Sequence, residues 1–315
     1  MKSAVVKSQP EELSARYCPA CKSASSLSRG HKNGFNLLSC RSCGTLYTSH
    51  VPENLFEQCY DDYYDPEHLV SSTFITQRLD QIVARFAPYR QTNRLLDIGS
   101  GAGSLLEAAR RSGWEAVGVE VSRTAVEHVR GLGFDVHWGE LGGADYPAGY
   151  FDVVTASEVI EHVADPQALI NEIARVLRPG GLLWATTPHG RGVSARVMGL
   201  EWENVIPPNH LQLFSSKGIK TLLSKAGFRR TRILTQGMNP FQVLQYLRKR
   251  PRSSSNSSSA GEQATNAAES GHPISSQQLN ELLNQSPIRR MAKGLVNRLL
   301  NVSRLGDSLK IWAEN

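Results

Sequence analysis

Residues 95–104 read Leu95-Leu-Asp-Ile-Gly-Ser-Gly-Ala-Gly-Ser104, and this stretch decides the fold. Leu95, Leu96 and Ile98 make a short apolar run of the kind that lies inside a parallel sheet. Glycines then alternate at 99, 101 and 103, and Leu105, Leu106 and Ala109 follow at helical spacing up to Gly113. A strand that breaks into glycines and opens a helix lets backbone N–H groups approach a bound ligand closely. The dinucleotide fingerprint G-x-G-x-x-G would need a third glycine where this chain has Ser104. Asp97, at the end of the strand, favours instead a ligand that carries a positive charge or hydroxyl groups.

Outward from this loop, strand and helix patterns alternate. Strands are expected at 94–98, 115–120, 134–138, 151–156, 182–187 and 228–235, and helices at 103–112, 123–131, 166–177 and 216–226. The alternation implies an α/β, Rossmann-like, doubly wound and mostly parallel sheet. Asp165-Pro166 reads as an N-cap with proline in the first turn, and Arg178-Pro-Gly-Gly181 as the stop of the same helix. Ligands of such sheets bind at the carboxyl ends of the strands. Glu120 ends the second strand, twenty-one residues after Gly99, where a carboxylate accepts hydrogen bonds from ribose hydroxyls. Glu140 is placed to meet an adenine amino group, or stands as a solvated loop carboxylate. Ser157 follows the fourth strand, where it caps the next turn, touches the ligand, or does both.

The chain has 315 residues and is 40% hydrophobic, enough for a sizeable core. No run approaches a membrane span and the N-terminus has no apolar signal region, so the expected compartment is the cytoplasm. The formal net charge is +6, and residues 241–304 carry nine basic against three acidic side chains, which accounts for the whole excess. No basic patch with interleaved aromatics is visible, so a nucleic-acid partner is not expected.

Cys18-Pro-Ala-Cys21 and Cys40-Arg-Ser-Cys43 are separated by eighteen residues, the spacing of a four-cysteine structural zinc site. Structural disulfides do not suit a cytoplasmic protein, and a redox dithiol would leave the second pair unexplained. Cys59 has no partner and reads as a buried apolar residue. Tyr60, Tyr63 and Tyr64 read as interdomain packing in preference to a substrate entrance. Leu79, Ile82, Val83 and Phe86 mark one face of a helix.

Leu95–Gly103, Val117–Glu120, Phe151–Val163 and Leu177–Leu183 together resemble the successive motifs of the class I S-adenosylmethionine-dependent methyltransferases. The resemblance implies that Asp97, Gly99, Gly101 and Gly103 hold the methionine part of S-adenosylmethionine, that Glu120 holds the ribose, and that Glu140 and Leu141 flank the adenine. It also implies a seven-stranded sheet whose last strand is antiparallel and inserted beside the sixth. Ser308-Leu-Lys-Ile-Trp-Ala313 is the candidate for that strand. The expected organisation is a flexible N-terminus at 1–16, a zinc ribbon at 17–50 and a linker with a packing helix at 51–92. The core follows at 93–236, then an insertion at 237–306 and the final strand at 307–315.

Deprotonating an oxygen or nitrogen acceptor calls for a base, and the candidates are His210, His189, Glu158 and His162, with His210 favoured. Glu158, Glu161 and His162 stand at i, i+3 and i+4, so a helix would put them on one face as ligands of a divalent ion. This Glu-x-x-Glu-His pattern resembles the ubiquinone-biosynthesis O-methyltransferases, where such residues hold a metal near the acceptor. Pro-x-His-Leu at 208–211 resembles methyltransferases of sugars or lipid-linked intermediates, and the cysteine ribbon resembles that of sugar C-methyltransferases. The expected activity is O-methylation of a small molecule, a saccharide or lipid-linked intermediate first and a phenol also in view. The alternatives are sugar C-methylation, a nicotinamide-dependent oxidoreductase, and a non-catalytic nucleoside-binding scaffold.

Residues 252–276 are Ser/Asn-rich and are expected to be disordered. A basic amphipathic helix is expected at 287–303, with Ile288, Met291, Ala292, Leu295 and Leu299 on one face. Docking of that face on its own domain is the favoured expectation, and peripheral membrane contact is the alternative.

Overall fold

The structure is a computed structural model, and it describes residues 16–52, 55, 73–249, 279 and 286–315. Cys59, the 60–64 tyrosines, residues 1–15 and the Ser-rich 252–276 stretch lie outside the described residues.

The cysteine segment folds around a hairpin of β1 (Ser26–Lys32) and β2 (Phe35–Cys40), extended by β3 (Leu46–Thr48). The core follows. Helix α1 (Thr73–Val83) runs into a 3-10 turn over Ala84–Tyr89, because Pro88 cannot continue an α-helix. Then come β4 (Arg94–Ile98), α2 (Ser104–Arg111), β5 (Glu115–Glu120), α3 (Arg123–Gly131), β6 (Val136–Trp138) and β7 (Phe151–Ser157). Helix α4 (Pro166–Val176) passes directly into β8 (Leu177–Pro188), which begins earlier than the expected 182. The Pro-Gly-Gly stop falls inside this strand, with Gly180 at φ +73°. Next come α5 (Val193–Met198), β9 (Gln212–Leu213), α6 (Ser216–Lys225), β10 (Arg230–Gln236), α7 (Pro240–Lys249), α8 (Pro287–Ser303) and β11 (Ser308–Glu314).

The seven-stranded sheet has the order β10-β11-β8-β7-β4-β5-β6. Strands β4 to β8 pair in parallel, and β11 is antiparallel to both β8 and β10. The last strand of the chain thus lies inside the sheet, and Leu309, Ile311 and Ala313 point to one core face. That face carries Leu96, Val154 and Leu183 against α4 and α6, and the other carries Leu95, Val153 and Trp184 against α1 and α2. Helix starts follow the side-chain chemistry. Ser122, Asp165 and Ser215 each accept from a backbone N–H of the first turn of α3, α4 and α6.

A buried charge ties the amino-terminal edge together. Asp152 is fully buried, and its Oδ2 accepts from the N–H groups of Gln91, Thr92 and Asn93 at 2.7–2.8 Å. Its Oδ1 accepts from Arg178 Nε at 2.6 Å. Burial alone would raise this carboxyl, but Arg178 and the three N–H groups hold it below the ordinary range.

Three contacts of the ribbon are set by the tertiary fold and not by local sequence. Strand β3 pairs with β9, so the ribbon shares a four-stranded sheet with a strand from the loop after β8. The ribbon also grips that loop through Lys32 Nζ to Leu200 O (2.6 Å) and Asn33 Nδ2 to Pro207 O (2.9 Å). The N-terminus of α6 meets the second cysteine knuckle through Ser215 Oγ, which donates to Cys43 O.

Helix α8 corrects the docking expectation. It touches β10 through Asn297 and Asn301, whose Oδ1 atoms accept from Gly237 N and Thr235 N at 3.0 Å. The predicted apolar face points away: Ile288 is 78% exposed, Met291 77%, Leu295 62% and Leu299 61%. The unpaired backbone donors at the end of β10 decide this orientation, because asparagine can satisfy them and leucine cannot.

Candidate active site

The glycine loop leaves β4 with Gly99, Gly101 and Gly103 all at positive φ, +68°, +50° and +78°. A side chain at Gly99 would be strained there, and its Cβ would come within 2.6 Å of Val159 Cγ2. Glu120 braces the loop: its Oε2 accepts from Gly101 N (2.9 Å) and its Oε1 from Val121 N (2.8 Å) and Ser122 N (2.9 Å). A carboxylate has about four lone-pair sites, so one remains for a ligand.

Asp97 is 4% exposed, and its Oδ1 accepts from Thr155 Oγ1 at 2.6 Å. Burial drives its carboxyl up, the Thr155 hydrogen bond opposes this, and Glu120 adds to it, leaving it at about 7. Beside it, Ser100 Oγ is buried without a hydrogen-bond partner. A buried carboxylate that lacks a countercharge, an orphaned hydroxyl and a cradle of left-handed glycines fit a cationic, hydroxyl-bearing nucleoside. Glu140 is exposed, and Leu141, buried at 3%, opens the 3-10 turn that follows. Ser157 Oγ lies 2.9 Å from Thr186 Oγ1.

On the other side, residues 158–162 form a turn and not the expected helix. Glu158 takes φ +55°, and its N–H continues the sheet by donating to Thr186 O. Glu158 Oε1 accepts from Thr186 Oγ1 at 2.7 Å, while Glu161 turns inward and is fully buried. The cluster with metal-ligand geometry is therefore Glu161, His162 and His210, whose ligand atoms lie within 4.8 Å of one another. Glu158 is replaced in it by a histidine forty-eight residues beyond His162.

The donor set is prepared for a cation. His162 Nδ1 is 2.8 Å from Asn209 O and His210 Nδ1 is 2.7 Å from Asn204 O. Carbonyls only accept, so each Nδ1 carries the proton and each Nε2 presents a lone pair. Burial pushes His162 down to about 4, with His210 adding to the effect, and burial also lowers His210. Glu161 Oε2 accepts from Thr187 Oγ1 at 2.9 Å, while the buried Oε1 makes no hydrogen bond and lies 3.9 Å from His162 Nε2. Burial, with the neighbouring Glu158, raises Glu161 well above the ordinary range.

His189 belongs elsewhere. It is 2% exposed and its Nδ1 lies 2.8 Å from Gly306 O, so it fastens the turn before β11 and has little surface to offer an acceptor. Sequence reasoning missed Thr155, Thr186 and Thr187, the hydroxyls that orient Asp97, Glu158 and Glu161. Their signal was present as threonines at the carboxyl ends of otherwise apolar strands.

The four cysteine sulfurs also lie within 4.8 Å of one another and form no disulfide. Two Sγ pairs, Cys18–Cys43 and Cys21–Cys40, are at 3.5 Å. The edge of a Zn–S tetrahedron is about 3.8 Å from its 2.3 Å bond length, so four thiolates here fit one zinc ion.

Comparison with known proteins bears on the core. Residues 72–232, about half of the chain, match the family described as methyltransferase domain. The ubiquinone biosynthesis O-methyltransferase of Brucella anthropi is 30% identical over 192 residues, covering 52% of this chain and 77% of that protein. Its counterpart in Methylococcus capsulatus is 37% identical over 101 residues, covering 30% of this chain and 43% of that protein. The chain spans about half the length of most of the curated relatives it matches, 43%, 54% and 52% in three of them. Among solved structures, a SAM-dependent methyltransferase from Archaeoglobus fulgidus has a TM-score of 0.50 at 19% identity, covering 81% of this chain and all of that one. Phosphoethanolamine N-methyltransferase 2 of Haemonchus contortus, in complex with S-adenosyl-L-methionine, has a TM-score of 0.52 at 18% identity, covering 92% of this chain and 70% of that one. At these identities the likeness to solved structures is one of fold.

Proposed function

The chain belongs to the methyltransferase-domain family, and from that premise we propose that it is an enzyme transferring the methyl group of S-adenosylmethionine to a hydroxyl oxygen of a small-molecule acceptor. The acceptor is a saccharide or lipid-linked intermediate. Residues 17–50 are a zinc-bearing ribbon held by Cys18, Cys21, Cys40 and Cys43. Residues 93–236 and 307–315 are the catalytic core, with 237–306 an insertion.

In this reading Asp97 and the glycine loop hold the methionine end of the donor, Glu120 takes a ribose hydroxyl with its remaining lone pair, and Leu141 lies under the adenine beside Glu140. The donor arrives activated, because the sulfonium departs as a neutral thioether when the new O–C bond forms. The protein has to align the acceptor and manage its proton. Glu161, His162 and His210 would hold a divalent ion, which lowers the pKa of a coordinated hydroxyl when bound. The observation that supports this reading is that one ligand atom each of Glu161, His162 and His210 lies within 4.8 Å of the others, while both histidine Nδ1 atoms are turned to carbonyls and Glu161 Oε1 makes no hydrogen bond. A base alone would not call for the second histidine.

A second observation bears on acceptor class. Lys310 pairs across the sheet with Thr186, whose hydroxyl holds Glu158. Burial and the neighbouring cations Arg78, Lys293 and Arg85 push Lys310 down to about 8. A concentration of cations beside the acceptor side suits an acceptor with an anionic group, as in a phosphate-linked lipid or saccharide, better than a neutral phenol.

The test is a labelled-methyl assay of the full chain over saccharides, phosphate-linked lipid saccharides and catechols, with metal content measured in parallel. The reading expects an O-methyl product and two ions per chain, one of which is lost in Glu161→Gln. A C-methylated product, or two ions retained in that variant, would refute it.

A further inference from the structure

Gln212 joins the two chain segments that carry the acceptor-side cluster. It is 1% exposed, and its Nε2 donates to Ile160 O at 2.9 Å, to Val163 O at 2.8 Å and to Glu161 O at 3.2 Å. The backbone N–H groups of Leu211 and Gln212 also donate to Glu161 O, at 2.9 and 3.3 Å. Glu161 and His162 lie on that turn, and His210 stands two residues before Gln212. Buried carbonyls of a turn that belongs to no helix or strand need donors from elsewhere. One glutamine side chain supplies them here.

Arg16 sets which way this amide faces. Its Nη2 donates to Gln212 Oε1 at 2.7 Å and to Ala164 O at 2.9 Å, and its Nη1 donates to Thr48 Oγ1 at 3.2 Å. Its backbone N–H donates to Ser49 O at 3.1 Å. A guanidinium has donors only, so the amide oxygen has to face Arg16 and the NH₂ group has to face the turn. The flipped amide would set its oxygen against three carbonyls. We propose that Gln212, oriented by Arg16, is a positioning residue for the Glu161–His162–His210 cluster. It holds the 160–163 turn and the loop bearing His210 at the separation that a shared divalent ion needs. The ribbon takes part, because Thr48 and Ser49 anchor Arg16. Metal–ligand distances have to be met to within about 0.2 Å, which a turn able to shift against the loop would not maintain.

This inference rests on the reading of the cluster as a cation site, and its readout is affinity for Mn²⁺, not activity. A carboxylate site accepts Mn²⁺, whereas four thiolates select zinc. The full chain is titrated with Mn²⁺ and the free ion is followed by its paramagnetic resonance signal. S-adenosylmethionine affinity and zinc content are measured on the same samples. Gln212→Met keeps the side-chain length but takes the donor from Ile160 O and Val163 O. Its Kd for Mn²⁺ should rise roughly 10–100-fold, the cost of losing a group that orients metal ligands, with S-adenosylmethionine affinity and zinc unchanged. Arg16→Met leaves Gln212 in place and lets its amide turn, so it should move the Kd in the same direction by a smaller factor. This second variant carries the test should Gln212→Met not fold. Equal Mn²⁺ affinity in the wild type and both variants would overturn the positioning role and leave the cation site standing. Parallel losses of Mn²⁺, S-adenosylmethionine and zinc would also overturn it, because the pair then merely holds the fold. A wild-type chain that takes up no Mn²⁺ would overturn the cation reading, and this inference with it.

Discussion

Replacing Asp97 by asparagine separates binding from stability, because the two should move in opposite directions. The carboxyl is held at about 7 in place of an ordinary 3.8, chiefly by burial. A raised folded-state value means that stability is present at low pH and is lost as pH rises from about 4 to about 7. At about 1.4 kcal/mol per tenfold change in proton affinity, ionising this group in the folded protein costs roughly 4 kcal/mol at pH 8. Asparagine keeps the shape and can still accept from Thr155 Oγ1 but carries no charge, so the ligand-free variant should be the more stable protein above pH 7. For the donor the sign reverses. A cationic ligand selects the ionised carboxylate, which is about one-tenth populated at pH 6 and nine-tenths at pH 8, so its Kd should be about tenfold weaker at pH 6. Asparagine should weaken binding by about 1.5–3 kcal/mol at pH 8, the worth of a hydrogen bond to a charged group. Calorimetry of wild type and Asp97→Asn at pH 6, 7 and 8 gives the affinities, and thermal melts give the stabilities. The ligand's own amine titrates near 8, a contribution common to both proteins that cancels in the comparison. Equal affinities at pH 8, or a variant that is destabilised while binding normally, would refute the reasoning.

Two other perturbations probe the scaffold. Asp152→Ala leaves Arg178 and three N–H groups without their acceptor and should cost about 3 kcal/mol in denaturant unfolding. Because the folded carboxyl is depressed, that deficit should persist at neutral pH and shrink only below about pH 4, as the wild-type group is protonated. Cys40→Ser should lose the ribbon zinc by elemental analysis and increase hydrogen exchange at Gln212–Leu213, since β9 is paired with β3. The glycine loop at 99–103 should exchange as before.

The parallel core was legible because its elements carry local signals. Apolar runs of strand length, glycines at 99, 101 and 103, and the cap at Asp165 are all set by neighbours in sequence. The last strand is placed by the family resemblance, which implies a seventh antiparallel strand with 308–313 as its candidate, and β11 occupies that position. The acceptor side was only half legible. The i, i+3, i+4 spacing of Glu158, Glu161 and His162 suits a helix, but Glu158 N–H pairs with Thr186 O and its φ of +55° ends that register. A spacing rule cannot anticipate a sheet hydrogen bond made to residue 186. His210 was visible only as a histidine in a proline-bounded loop, and its partners come from the 158–162 turn and from its own loop backbone at Asn204. On α8 the periodicity was read correctly and its direction was not. Amphipathicity names a face without saying what it meets, and here two asparagines took the protein side.

By itself the amino-acid sequence determined the strand–glycine loop–helix at 94–111, the two C-x2-C pairs and the succession of core strands and helices, because each of these units is built from neighbours in sequence. Only the tertiary structure decided that the ribbon extends the sheet of the acceptor loop, that Glu161, His162 and His210 share one site, and that α8 turns its apolar face to the outside. Those outcomes depend on which distant backbone donors and carbonyls need partners. That demand does not exist until the sheet has formed.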